Sequence, residues 1–406
     1  MPKNKRPVPR KASITPEERD HAVTKQLCDL ALDLVEQEDG EQMSAVLRQK
    51  EADFQKLIKK TLTHKKDEVL YEAIDRATYE DIGAYQFLRS QIEEAAATMV
   101  IRREGSQAME INAFAIPLFV HSTGGLVEAD EFQDDAAFTA LTASLQSGGL
   151  ESAQAKVVLI RHAYDLDEID SITYCQLNEM VYDAWSSMTD KKIIATPALE
   201  RSITGWSPTG FGAQDSAVEL RFLLGFALKR TDDPFYRVPA DDNAADTYFA
   251  ARMERYQAWT AQAGDLVRRC LAPAGAPLEI NFLYQDLFHG AKEQGVNEYF
   301  MLQMLSEINQ ALDQHGLAPD QAKAVLAPAD TDGQMLLRVQ LQAVADGAVL
   351  LVTDKPLDLA ADLTLEVADL ADALATLGIR RLAVALRFDA SGQALEEKPY
   401  QPDGGQ

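Results

Sequence analysis

KVVLIRHAYDLDEID, residues 156–170, decides how the chain is read. Val157, Val158, Leu159 and Ile160 form a short apolar run, the signature of a buried strand. The run delivers Arg161 and His162 to a strand end and then breaks into Asp165, Asp167, Glu168 and Asp170. Acids at that spacing suit the first turn of a helix, where they complement its positive end. An acidic helix over 130–146, leading through Gly148-Gly149, precedes the strand, and a helix over 173–188 follows it. The stretch therefore predicts a helix–strand–helix layer in a chain that mixes sheets and helices.

Towards the N-terminus the apolar period is 3.6. Thr15-Pro16-Glu17-Glu18 places a capping hydroxyl, a first-turn proline and two acids together, so a helix starts there and runs to Gly40. Further helices are expected over 41–61, with Val46, Leu47, Phe54, Leu57 and Ile58 inward and Lys56, Lys59 and Lys60 outward, then over 67–77 and 81–97. At Thr98 the period changes to 2, and 98–103 with 110–121 reads as a hairpin whose second strand, containing INAFAIPLFV, is central in a sheet. Pro117 inside it suggests a bulge or a strand end.

Towards the C-terminus, residues 189–216 show no clear period and contain TGWSPTGFG, with Trp206 and Phe211 as candidate binding aromatics on a long loop. VELRFLLGFALKR, 218–230, reads as a buried strand. A long helix over 245–270 is expected to turn Phe249, Met253, Tyr256 and Val267 inward. Strand LEINFLY, helices over 286–293 and 297–315, and a strand over 323–328 come next. Strands over 334–344 and 349–353 around the Asp346-Gly347 hairpin turn follow, then a helix over 363–378 and a strand over 380–388. That order is the order of a split β-α-β layer. The expected class is α+β: a helical N-terminal region followed by mixed, mostly antiparallel sheets packed with helices, with two split β-α-β layers as one arrangement. The expected divisions are a disordered basic tail (1–12), a helical region (13–97), a first α/β domain (98–230), a second (231–395) and a flexible tail (396–406).

The 406 residues are 46% hydrophobic and 25% charged, the composition of an ordinary globular protein, with no apolar run long enough for a membrane helix. The first residues are basic with no apolar segment behind them, so they do not read as a secretory signal. Sixty-four acids against 39 Lys and Arg give a net charge of −25. Residues 1–11 hold five bases and no acid, leaving 34 bases against 64 acids elsewhere, a net of −30. Such a body repels nucleic acid and anionic lipid, and only the tail would attract them. Cys28, Cys175 and Cys270 lack any metal-binding or disulfide spacing, which fits a reducing cytoplasm.

The succession of LCDLALDLVEQEDG (27–40), INAFAIPLFVHSTGGL (111–126), RFLLGFALKR (221–230), AWTAQAGDLVRRCLAP (258–273), LEINFLYQDLFHGAKEQG (278–295) and the hairpin at 336–357 resembles an uncharacterised proteobacterial family, a domain of unknown function. The resemblance implies a bacterial cytoplasmic protein of unassigned activity and carries over no functional residue. Separately, VVLIRHAYD resembles the strand-then-Arg-His signature of the histidine phosphatases. That resemblance implies His162 as nucleophile, Arg161 as a bidentate phosphate clamp and His289 as a second histidine. Ala163 stands where that signature has glycine, the motif is not near the start of its domain, and the acids that follow oppose a phosphate pocket.

The bland readings of the same residues are stronger. His162, Asp165, Asp167 and Asp170 lie within nine residues, yet DLDEID lacks the turn glycine of a calcium loop and reads as a solvated helix start, so no metal is expected. Asp165 and Asp167 remain candidate binding residues. Cys28 and Cys175 read as core residues, and His121 as a structural histidine. No GxSxG, GxGxxG or GxxxxGK[ST] occurs, so no cofactor is expected. The sequence points to a non-catalytic protein that works through a protein partner or self-association, with a phosphoester hydrolase as the alternative.

Overall fold

A computed structural model describes residues 15–35, 45–102, 107–122, 132, 134–190, 218–233, 238–271, 278–283, 288–331, 333–389 and 391–401. Of the described residues 56% are helical and 26% lie in strands, an α+β architecture with a helical N-terminal region followed by mixed sheets. The chain forms two compact units, and strands β2 (Met109–Ser122) and β4 (Val218–Arg230) each run from one into the other.

The first unit contains α1 (Pro16–Val35), α2 (Ala45–Thr63), α3 (Asp67–Glu80), α4 (Ile82–Ala97) and α7 (Tyr174–Asp190). The start of α1 is the box that Thr15 and Glu18 promise: the Glu18 N–H donates to Thr15 Oγ1 (3.2 Å) and the Thr15 N–H donates to Glu18 Oε2 (2.7 Å). Asp81 caps α4 by accepting from the Ala84 N–H at 2.8 Å. Asp67 ties two helices together, accepting from Thr173 Oγ1 and from the Cys175 N–H, both at 2.9 Å, at the head of α7. Leu27, Ala31, Phe54, Ile58, Leu70, Ala73, Leu88 and Ile92 are fully buried at helical spacing. Val46, expected inward, is 68% exposed, because it sits in the first turn of α2, ahead of the Phe54–Ile58 face that packs.

Strand β1 (Thr98–Ile101) pairs antiparallel with the start of β2, Met99 opposite Ile111, as the hairpin reading required. In the second unit β2 continues to pair with β5 (Leu278–Phe282), His121 opposite Glu279. The sheet order is β1-β2-β4-β3, with β3 (Lys156–Tyr164) at one side and β5 against β2. Pro117 does not break β2. Its carbonyl accepts from the Leu283 N–H (3.3 Å) on the β5 side, so its missing N–H faces that same side and leaves the ladder to β4 intact. The other elements here are α5 (Asp135–Ser144) with a π turn at Leu145–Gly149, α6 (Leu166–Asp170), α8 (Asp242–Leu271) and α9 (Phe288–His315). Phe249 and Met253, expected inward, are 46% and 37% exposed: Phe249 precedes the first buried side chain of α8, Arg252, and Met253 lies beside the face made by Arg252, Tyr256, Trp259 and Ala263.

Helix α9 is continuous where two helices were expected. Gly295 is buried inside it, and a Cβ there would sit 3.1 Å from the Phe222 ring and 3.3 Å from Pro117, so the glycine serves close packing and does not end the helix. The C-terminal sheet has the order β12-β9-β6-β7-β8: β6 (Ala322–Thr331), β7 (Gln334–Ala343) and β8 (Val349–Pro356) form an antiparallel meander. Helix α10 (Leu363–Thr376) then carries the chain to β9 (Arg381–Val384), parallel to β6. The Asp346-Gly347 turn forms with Gly347 at φ +72°, in a loop closed by the Ala343 N–H donating to the Ala348 carbonyl at 2.8 Å. The expected strand over 380–388 is divided into β9 and β10 (Arg387–Phe388), which pairs with β11 (Ala394–Leu395); β12 (Lys398–Pro399) closes the sheet edge beside β9. One face of this sheet packs Leu326, Leu337, Val339 and Leu341 against Met304, Ile308, Leu312, Leu370 and Leu374 of α9 and α10.

Candidate functional site

Successive side chains of a strand point to opposite faces, and β3 obeys this at the pair that mattered most. Arg161 donates to the Phe132 carbonyl at 2.9 Å, pairs with Asp135, and lies 4.9 Å from the centre of the Phe138 ring. His162 turns the other way. Its Nε2 lies 2.8 Å from Glu168 Oε2, and its ring meets Tyr164 edge-on at 4.9 Å. The two residues are adjacent in sequence and bonded to different parts of the fold.

Around His162 the structure assembles a half-buried polar network from four elements. In the turn into α6, the Glu168 N–H donates to Asp165 Oδ1 (2.8 Å) and the Asp165 N–H donates to Glu168 Oε2 (3.0 Å), a reciprocal cap. Arg221 of β4, only 3% exposed, places Nη1 3.8 Å from Asp165 Oδ2 and pairs through Nη2 with Glu219. Burial pushes the Glu219 carboxyl up to about 7, with the Asp165 charge adding to the shift and Arg221 opposing it. Burial would also raise Glu168, but hydrogen bonds from His162 and the Asp165 N–H, with the positive charge of Arg221, hold it below its ordinary value. Tyr299 of α9 is raised by burial and then by the Glu219 charge.

The structure thus brings His162 and Asp165 together and sends Arg161 elsewhere. Asp167 is exposed, outside this network. His289 lies in the first turn of α9, its ring edge-on to Phe288 at 4.9 Å. Trp206 and Phe211, with residues 191–216 of the expected loop, lie outside the described residues. Glu168, Glu219, Arg221 and Tyr299 were not singled out from the sequence. The signal available was Glu219 and Arg221 two apart in an otherwise apolar 218–228 run, because a buried strand face bearing two charges must pair them.

Three carboxylates here share one guanidinium and one imidazole. Such a network holds protons well and receives a phosphate poorly, since the carboxylates repel it. Among the described residues, no group of three or more His, Cys, Asp and Glu is placed to hold a metal ion.

The helical region, the first sheet and the start of the C-terminal sheet have a counterpart in one family: a family profile described as a protein of unknown function, DUF2863, matches residues 15–340. The chain belongs to the DUF2863 family. The segments at 27–40, 111–126, 221–230 and 258–295 that carried the resemblance fall within the DUF2863 match, and the hairpin at 336–357 extends beyond it. No curated protein and no solved structure matches the chain. No helix of the described residues is long and apolar enough to cross a membrane.

Proposed function

We propose that this DUF2863 protein is a bacterial cytoplasmic protein that acts through protein contacts and performs no phosphoryl transfer at Arg161–His162. The observation that carries the reading is the divergence of those two side chains. A histidine nucleophile and its phosphate clamp must address one reacting centre, and here the guanidinium is held by Asp135 and Phe132 while the imidazole is held by Glu168. The cytoplasmic part is supported by Cys28, Cys175 and Cys270, all buried free thiols. Burial pushes Cys175 and Cys270 each up to about 12, which suits packing and not nucleophilic work.

Sedimentation velocity over a wide concentration range, combined with in-cell photo-crosslinking from the exposed Tyr79 of α3, tests the contact role. A defined self-associated species or a discrete crosslinked protein is expected. A chain that remains monomeric and yields no adduct overturns the reading.

A further inference from the structure

Among the described residues, helix α2 is an electropositive stretch of an acidic molecule. Residues 45–66 hold seven bases and two acids, whereas the rest of the chain holds 32 bases against 62 acids. The helix turns Phe54, Ile58, Thr61 and Leu62 inward, which leaves Arg48, Lys56, Lys59 and Lys60 exposed on the opposite side. The bases at the margins are already satisfied: Lys50 pairs with Asp33 (2.7 Å), Lys66 with Asp20 (2.8 Å) and Lys65 with Glu179 (3.0 Å). Arg48, Lys56, Lys59 and Lys60 form no ion pair with a described carboxylate. Unmatched exposed charge of one sign, in a molecule of the other sign, steers association.

We infer that the outer face of α2, through Arg48, Lys56, Lys59 and Lys60, docks an acidic polypeptide segment of a partner protein. The inference rests on the protein-contact reading and names the chemistry of the partner. The length of the patch favours a peptide over a nucleic acid. From Arg48 to Lys60 the helix spans roughly 18 Å at about 1.5 Å per residue, a match for a few carboxylates spaced along one helix or strand. Asp33 and Asp20 of α1 bracket it near its two ends, and α1 opens with Glu17 and Glu18 beyond the second. A polyphosphate chain continuing past the patch would meet those carboxylates, and the remaining body repels it as well. An isologous contact between two copies would set this basic face against itself, which also disfavours simple pairing through α2.

The test uses the full chain, a fluorescent twelve-residue oligo-glutamate and a single-stranded DNA of equal charge, read by anisotropy at low and high salt. The oligo-glutamate is expected to bind at low salt, to release at high salt, and to lose about tenfold in affinity in the Lys56→Gln/Lys59→Gln/Lys60→Gln variant. Glutamine keeps the helix propensity, and far-UV circular dichroism confirms the fold. A control with Lys25→Gln and Lys398→Gln, both exposed elsewhere, should bind like the parent. No binding, equal binding by the triple variant, tighter binding of the DNA, or salt-sensitive self-association in place of peptide binding each overturns the inference. Failure of the peptide with a crosslinked partner still present removes this surface and leaves the contact reading intact. A monomeric chain without adducts removes the contact reading, whatever the peptide does.

Discussion

The His162 imidazole and the Glu168 carboxylate, six residues apart, meet at 2.8 Å across the turn from β3 into α6. This contact turns a sequence that resembles a catalytic signature into a latch between a strand end and a helix start.

Removing the latch should cost stability. Glu168 accepts from both His162 and the Asp165 N–H, so Glu168→Ala is expected to destabilise by about 1–3 kcal/mol in urea unfolding at neutral pH. The pH dependence has a definite sign. The folded Glu168 lies below its reference of 4.5, so its contribution is present above that value and is lost as pH falls through the folded one. The parent should therefore lose stability more steeply than Glu168→Ala below about pH 4.5. Parallel acid limbs would contradict the assignment.

Glu219 should behave in the opposite sense. Its folded value of about 7 exceeds the reference of 4.5, so its contribution is complete below 4.5 and disappears as pH rises through about 7. Urea unfolding of Glu219→Gln, which carries no proton to lose, should narrow or reverse its deficit relative to the parent between pH 5 and pH 8. The change is expected to be of the order of 1–3 kcal/mol. A constant difference across that window would show that Glu219 titrates normally.

At Gly225 the backbone of β4 lies under the Phe114 ring of β2, and a Cβ there would fall 2.3 Å from the ring. Gly225→Ala is expected to destabilise by about 1–3 kcal/mol, measured as a fall in Tm, because two buried strands leave the ring little room to move. Phe114→Leu in the same chain should recover part of the loss. An unchanged Tm for Gly225→Ala would mean that the sheet yields there.

Lys355 is 1% exposed on β8 and paired with Glu366 of α10. Lys355→Met leaves that carboxylate without its partner and should cost about 3–5 kcal/mol, while Lys355→Met/Glu366→Leu should recover most of it. A double variant as unstable as the single one would show that the lysine acts through its packing alone.

Local chemistry was the part of this fold most legible in the sequence. Thr15 and Glu18 form the cap their spacing promises, 98–101 pairs with 109–112, and Asp346-Gly347 turns the last hairpin. Contacts distant in sequence were not legible. β5 carries the pattern of a strand in the last layer but pairs with β2, because pairing choice depends on which edge is open and not on the strand's own residues. The break expected between 293 and 297 is absent, because Gly295 lets Phe222 and Pro117 pack closely against one continuous helix. Val46, Phe249 and Met253 fit an apolar stripe by spacing, yet each is exposed, since which part of a helix is covered depends on its packing and not on its own period. At the candidate site, Arg161 and His162 were visible as a pair, but the period-2 alternation that separates them carries more weight than their adjacency. Arg221 and Glu219 come from a strand some 60 residues downstream, and only the folded sheet shows that they join Asp165.

Turnover of an aryl phosphate by the full chain and by His162→Ala, from pH 5 to pH 9, tests the central claim most directly. The divergence of Arg161 and His162 requires both proteins to stay at the background rate throughout. A parent rate well above background that disappears in a His162→Ala protein shown by circular dichroism to remain folded would contradict it.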